Sequence, residues 1–404
     1  MIVEPETADL PLSGIVVVDL THIYNGPYAT FLMAMAGATV IKVEPRTGEH
    51  LRHRADAASA GVPFAMLNLN KQGVTLDFTK DRGRRLLLKM VEQADVIVEN
   101  FAPGVLDRRG LGYETMAQIK PDIIYASGSG YGLSGPYRDY PAMDLTVQAM
   151  SGVLATTGFA DSPPVKAGPA LSDFSGGVHL YGAIATALFE RERTGRGRKV
   201  EVSMQEATYA SLSSSIGMYF AHPEDGPPAR RGNRHSGMAE SPYNVYPTRD
   251  GYIAIVGNHD RHFQQILRLM NRPDLFEDPR FLGLRARAEN MDDVDQLVGG
   301  WTARHDKESL ADLLLEHRVP CAPVREIPEV VRDEHMHERG ALVWQDHPQL
   351  GEIVVQRSPM RYEGSPPTPL KPSAKLGEHN REVYVEWLGL DESELESLYA
   401  DEVI

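Results

Sequence analysis

From Gly14 the chain alternates between short β-branched runs and longer apolar stretches of helical period. GIVVVDLTH reads as a strand, a Gly-Pro break follows, Tyr28 to Met35 reads as an apolar helix, and Thr39 to Val43 reads as a second strand. The same alternation returns in GVTLDFTKDRGRRLLLKMVEQADVIVENF and in PDIIYASGSG. It predicts an α/β fold, a mostly parallel sheet covered by helices on its faces. Ligands in such folds sit at the carboxyl ends of strands, and three stretches occupy those ends: His22 to Pro27, Glu99 to Gly104 and Ser127 to Gly135.

Further on, Val178, Tyr181, Ile184, Ala185, Leu188 and Phe189 recur at three- and four-residue spacing until Glu190 to Arg193 close the pattern. This predicts a buried helix. Asp173 and Ser175 fall just before it, where an acid or hydroxyl caps free N–H groups, and Gly176 and Gly177 let another backbone or a ligand come close. The residues alone leave Asp173 two roles, a helix cap or a reactive carboxylate at the mouth of a buried element.

Lys199 to Ser203 reads as a strand and Gln205 to Tyr219 as a helix, after which His222 to Ser241 turns rich in Pro, Gly, Arg and His and reads as a linker or mobile loop. SPYNVYPTRDGYIAIVG has the pattern of a hairpin around Arg249-Asp250-Gly251, followed by helices over Arg261 to Met270, Asp292 to Thr302 and Lys307 to His317. The expected organisation is therefore a large domain over 1–222, a small α+β domain with its linker over 223–328, and a return to the large domain over 329–404. That return includes an extended Pro-rich stretch and a terminal helix.

Composition narrows the functional classes. The 404 residues, 42% hydrophobic and 24% charged, are those of a globular chain long enough for two domains. A net charge of −15 repels nucleic acid and anionic lipid, so an anionic ligand needs a local basic cluster. Arg108 with Arg109, and Arg52, His53 and Arg54, are the candidates. A single cysteine, Cys321, allows neither an intrachain disulfide nor a thiolate metal site. The first residues lack the charge and apolar run of a signal peptide, and no stretch approaches a membrane span, so the expectation is a cytoplasmic protein with no membrane partner. His259 and His262 have a metal-ligand spacing with Asp260 between them, but no partner cluster accompanies them and no metal is expected. GSGYGLSG lacks the dinucleotide spacing, and no serine elbow is present.

Taken together, PLSGIVVVDLTH, GATVIKVEP, NKQGVTLD, ADVIVENFAPGVLDRRGL, PAMDLTVQAMSG, GPALSDFSGG, ERTGRGRKVEVSMQEA, PYNVYPTRDGYIAI and LGEHN span nearly the whole chain. They resemble the class III CoA-transferases, the family of formyl-CoA transferase and carnitine CoA-transferase, related to α-methylacyl-CoA racemase. The resemblance implies a Rossmann-like large domain, a small domain and a homodimer of interlocked ring-shaped chains. It implies that Asp173 is the nucleophile and that CoA or acyl-CoA enters as a substrate, with no tightly bound cofactor. The implied CoA site is His22, Ile23, Tyr24 and Asn25, Asn70 and Lys71, Asn100 and Phe101, and Arg108 with Arg109. Backbone N–H groups near Gly176 and Gly177, or from a lid, are the candidates to hold the oxyanion, and His235, Ser236 and Gly237 are implied in that lid, running from Arg234 to Ser241.

Two departures bear on substrate. Tyr24 stands where formyl-CoA transferase has a glutamine, and the lid stretch RHSGMAES stands in place of a glycine run; both argue against formyl-CoA and oxalate. A dicarboxylate such as succinate would suit the Arg52 to Arg54 cluster and His235. The implied activity is transfer of CoA from a thioester to a free carboxylic acid through an aspartyl anhydride and an aspartyl-CoA thioester. The alternatives are racemisation beside the thioester, which needs two acid-base groups where this chain has Met143 and Asp144, and CoA-ester binding without chemistry.

Overall fold

The first β-branched run forms strand β1 (Val16–Asp19), buried from its second residue on, in a computed structural model that describes residues 10–53, 61–224, 226 and 228–404. The chain continues through α1 (Asn25–Met35), β2 (Thr39–Glu44), α2 (His50–His53), α3 (Gly61–Leu67), β3 (Lys71–Thr75), α4 (Asp81–Gln93) and β4 (Val96–Glu99). It then runs through α5 (Tyr113–Ile119), β5 (Ile124–Ser129), α6 (Asp144–Ser151), α7 (Val153–Thr156), α8 (Leu171–Thr194) and β6 (Arg198–Ser203). Six strands pair in parallel in the order β3-β2-β1-β4-β5-β6. The α/β prediction is therefore met.

Successive side chains of a strand face opposite ways, and each face has its own core. Val18, Ile41, Val74 and Ile97 pack with Leu87 and Met90 of α4 and with Tyr384 and Leu398 near the C-terminus. Val17, Val40, Val96 and Ile124 pack with Met33 of α1 and with Leu180 and Ile184 of α8. Strand order reverses between β1 and β4, which opens a crevice at the carboxyl ends of that pair, the place where doubly wound sheets bind ligands.

Two compact units divide the chain: residues 1–151, 169–208 and 333–404 form one, and 152–168 with 209–332 form the other. The stretches 152–168 and 209–222, read from sequence as parts of the large domain, thus group with the second unit. That unit has an antiparallel sheet of β7 (Tyr243–Pro247), β8 (Tyr252–Val256) and β9 (Cys321–Pro323). Phe263, Ile266, Val298 and Leu314 from its helices pack with Tyr246, Ile253 and Ile255 of the hairpin. In the first unit, the C-terminal return adds β10 (Leu342–His347) paired with β11 (Gly351–Gln356), then the extended Pro-rich stretch and a helix at Glu392–Ala400 capped by Asp391.

Three element readings are corrected. Helix α1 begins at Asn25 rather than Tyr28, because Pro27 falls in the first turn, where the N–H it lacks has no intrahelical partner to lose. Helix α8 begins at Leu171, and it is not buried all round, since Val178 and Phe189 are 49% and 65% exposed. The helix read over Gln205 to Tyr219 breaks at a 3₁₀ turn, Ala210–Leu212, within a serine-rich stretch whose hydroxyls compete for backbone partners.

Candidate active site

Beneath the loop that follows β1 lies a buried ionic network. Asp19, fully buried at the end of β1, accepts from the Thr21 N–H at 2.9 Å, the Thr21 hydroxyl at 2.5 Å and the Thr30 hydroxyl at 2.6 Å. Lys71 donates to Asp19 at 3.0 Å, Thr30 Oγ1 at 2.8 Å, and the Pro27 carbonyl and Asn68 Oδ1 at 3.0 Å each. Burial alone would raise the Asp19 pKa, but the Lys71 and Lys42 charges and the two hydroxyls outweigh it and hold it down at about 2. Burial also draws the Lys71 ammonium down to about 8, against the pull of Asp19. Lys42 Nζ donates to the Thr21 carbonyl.

Lys71, expected at the CoA site, is enclosed in this network. Its ammonium is 4% exposed and already has four partners, so it positions the loop rather than reaching a phosphate. Asn70 is likewise engaged: its side chain donates to Pro369 O at 2.7 Å and accepts from Lys371 N at 2.8 Å, which ties β3 to the C-terminal return.

Above the network, the loop from His22 to Asn25 meets the turn after β4. His22 N donates to Asn100 Oδ1 at 3.0 Å and Asn100 Nδ2 donates to His22 O at 2.9 Å, while the His22 and Phe101 rings lie 5.3 Å apart. Burial, followed by the Lys42 charge, lowers the His22 pKa to about 4, so the ring is neutral at pH 7 and offers shape rather than charge. Ile23 adopts φ +68, a region unfavourable for a β-branched residue, and its N–H is held by Glu49 Oε2 at 3.0 Å. Ile23 and Tyr24 pack with Leu51, Phe64 and Leu67 and with Phe174 of α8.

The sequence read Glu99 only as part of a strand end, yet it supports this turn. Its carboxyl accepts from Phe101 N at 2.8 Å and bonds the Ser127 hydroxyl. Burial outweighs those two bonds and raises its pKa to about 7. On the 3₁₀ turn Asp107–Arg109 the guanidinium of Arg108 reaches over Gly104: a Cβ there would meet Arg108 Nη1 at 2.9 Å and Arg138 Nη2 at 3.6 Å. Two guanidiniums thus converge on one point at the rim of the crevice.

Asp173 and the loop are brought together by Asn25, whose Nδ2 lies 3.4 Å from the Asp173 carbonyl. The Asn25 amide is buried in a slot that only glycines leave open. A Cβ on Gly176 would stand 2.2 Å from Nδ2, and one on Gly128 would stand 2.4 Å from Oδ1. Gly177 does the same for the Asn25 carbonyl, at 2.6 Å. Both α8 glycines lie in the helix interior, with their N–H groups directed along the helix. What these two glycines admit is Asn25.

The position read for Asp173, just before the helix, is corrected as well. Asp173 is the third residue of α8, and the cap comes from Asp144, whose Oδ1 accepts from Ser172 N at 2.9 Å while Oδ2 accepts from Gln148 Nε2 at 2.7 Å. Ser175 turns to the Ala207 carbonyl, 3.0 Å away. Asp173 is 7% exposed.

Other candidates fall elsewhere. Arg52 makes a bidentate pair with Glu44 at 2.7 and 2.8 Å, donates to Ala374 O at 2.8 Å and covers the Phe64 ring at 3.9 Å, which leaves it no fork for a substrate carboxylate. The His53 ring bonds Thr47 O, and Arg54 lies outside the described residues. Within the second unit, Arg234 is paired with Asp292 and Asp295 at 2.6 and 2.7 Å, and the His235 ring packs 5.3 Å from Tyr243. His235 Nδ1 accepts from Gly237 N at 3.2 Å, and the Ser236 carbonyl accepts from Arg231. Asp260, between His259 and His262, pairs with Arg287 at 2.7 Å; among the described residues no group of three metal-ligating side chains occurs. No described helix is long and apolar enough to cross a membrane.

Comparison with known proteins gives the following. The model of CoA-transferase family III matches residues 12–380. Formyl-CoA:oxalate CoA-transferase of Streptomyces coelicolor is 36% identical over 97% of this chain and 99% of its own length. Succinyl-CoA--D-citramalate CoA-transferase of Chloroflexus aurantiacus is 34% identical over 98% of both. Among solved structures, a CAIB/BAIF family protein from Brucella suis superposes with a TM-score of 0.81 at 31% identity, covering 93% of this chain and 99% of that one.

Proposed function

Since the chain belongs to CoA-transferase family III, and is an enzyme of that class, we propose that it transfers CoA between an acyl-CoA thioester and a free carboxylic acid, with Asp173 as the covalent nucleophile. The observation that carries this reading is the tie from Asn25 to the Asp173 carbonyl, which couples the first turn of α8 to the crevice loop that pairs His22 with Asn100.

An Asp173 carboxylate oxygen attacks the thioester carbonyl, the C–S bond breaks, and CoA leaves as a thiolate, forming a mixed anhydride. The thiolate attacks the Asp173 side of that anhydride, giving an aspartyl-CoA thioester and releasing the first acid. An incoming carboxylate attacks the aspartyl thioester and expels thiolate, which then attacks the new acyl carbonyl and frees Asp173. Bonds and charges balance without an added acid, base or metal. Both intermediates are prone to hydrolysis, so water must be kept out; His235, Ser236 and Gly237 in a lid are part of this proposal. Arg108 and Arg138 suit the CoA phosphates, and the neutral His22 and Phe101 rings suit its uncharged parts.

Transfer is favoured over racemisation because Asp144 is committed to Ser172 and Gln148, and its neighbour Met143 cannot carry a proton. For the acids, relatives of similar identity are named for oxalate and for succinyl-CoA with D-citramalate. We favour a longer dicarboxylate such as succinate over oxalate, since Tyr24 departs from the formyl-CoA transferase pattern. A panel of acyl-CoA donors against mono- and dicarboxylic acids, read by mass spectrometry, assigns the pair.

The direct test is intact-protein mass after incubation with a reactive acyl-CoA and no acceptor. The expected result is a CoA-sized adduct on the peptide containing Asp173, replaced by a hydroxamate on adding hydroxylamine. An adduct that persists in Asp173→Asn, or an active enzyme that forms none, overturns the assignment.

A further inference from the structure

A cavity of about 520 Å³ opens in the first unit on the side of the C-terminal return, lined by Arg339, Arg357 and Arg361 over an apolar floor that includes Leu10, Met35 and Met360. Among the described residues, the one acid in its lining is Glu363 and no ion pair joins any of the three arginines to a carboxylate. Their recorded bonds go to backbone: Arg357 Nη1 to the Thr368 carbonyl and Arg361 Nη2 to the Arg339 carbonyl. The Thr368 hydroxyl in turn donates to Met35 O at 2.8 Å, which fastens the wall to the end of α1. Burial and then the nearby Arg361 charge lower the Arg357 pKa.

Guanidiniums that share one lining repel each other, an electrostatic cost that a bound anion would offset. Each guanidinium has five donors in a fixed fork, so one backbone carbonyl leaves most of them unused. The volume falls within that of a small-molecule site, about 300–1,000 Å³. None of these residues belongs to the crevice at β1 and β4.

We propose that this cavity is a second ligand site that binds a small organic anion, with carboxylate or phosphate oxygens on Arg357 and Arg361 and an apolar portion on Leu10, Met35 and Met360. The reading does not depend on the reaction assigned to Asp173.

The experiment is thermal unfolding and calorimetric titration of the full chain with citrate, glutarate and inorganic pyrophosphate at constant ionic strength. Saturable binding is expected with at least one probe, and which of them binds distinguishes carboxylate from phosphate chemistry. Arg361→Gln, at an exposed position, should weaken binding by about tenfold or more, as loss of one charge-assisted pair implies. Arg357→Lys keeps the charge, guards against misfolding, and should weaken binding less than Arg361→Gln. Arg304→Gln, at an exposed position of the second unit, should leave the response unchanged. Equal binding by wild type and Arg361→Gln, or loss of binding in Arg304→Gln, overturns the proposal. So does a wild type that binds no probe, including the case in which Arg361→Gln changes the oligomeric state and thereby shows the arginines to be paired with an acidic segment of a second copy.

Discussion

At the scale of single residues, charge type predicts location poorly and partners decide role. Lys71 and Arg108 are both cations next to strand ends, yet one is enclosed by four acceptors and the other stands at the crevice rim. Lys71→Ala should destabilise the protein by about 3–5 kcal/mol in denaturant unfolding, because it leaves Asp19 buried without its partner. Arg108→Ala should stay within about 0.5 kcal/mol of wild type while raising the acyl-CoA KM roughly tenfold. Equal destabilisation by the two would show that the buried network is not what separates them. Glu99 has an opposite sign from most carboxylates. Its pKa is raised by burial to about 7, against the 4.5 of a free glutamate, so the folded state holds the proton more tightly. The stability it contributes is full below pH 4.5 and falls as pH rises through 7. Glu99→Gln should therefore gain stability relative to wild type between pH 5 and pH 8, by up to roughly 3 kcal/mol, since the Ser127 hydroxyl can turn to accept from the amide. Unfolding curves for both proteins at the two pH values check the sign. None of this was legible beforehand, because enclosure and hydrogen-bond partners are properties of the fold and not of residue type.

At the scale of elements, the strands and the alternation were legible because period-two and helical patterns are local, and because the parallel order follows from strand-helix repetition. Helix starts were less so. The read start of α8 lay after Asp173 since glycines and serines depress local propensity, and the true start is fixed by Asp144, 28 residues upstream in sequence and visible only once α6 and α8 meet. The paired glycines were rightly singled out for close approach, but what approaches is Asn25. Gly176→Ala would ordinarily stabilise a helix interior by about 1 kcal/mol. Here the added methyl would stand 2.2 Å from Asn25 Nδ2, so it should instead cost about 1–3 kcal/mol and reduce turnover by displacing the link to Asp173. Gly182 of the same helix has nothing within 4 Å of its Cβ position, and Gly182→Ala should be neutral or stabilising. A double variant Asn25→Ala/Gly176→Ala should recover stability but not activity, a coupling that thermal unfolding and steady-state kinetics measure together. Full additivity of the two single changes would show that the slot is not shared.

At the scale of the whole molecule, the resemblance reached the family from motifs spread along the chain, and the comparisons agree over nearly its full length. Assembly is the level at which one chain says least. Within the first unit, α8 leaves Phe189 65% exposed and Val178 49% exposed; within the second, Tyr219 and Phe220 are 63% and 75% exposed. Large apolar side chains left in water on both units suit the expectation, drawn from the resemblance, that another copy covers them. If the copies are interlocked, as the resemblance implies, exchange between them requires a chain to open, and its rate is limited by unfolding rather than by dissociation. Light scattering should then give twice the chain mass at every dilution. Tagged and untagged proteins, mixed after separate purification, should form no mixed dimers over days at 25 °C, whereas refolding the mixture from denaturant should yield them at the statistical proportion. Rapid exchange under native conditions would mean an ordinary dissociable dimer, and a folded, active monomer at low concentration would remove the dimer altogether.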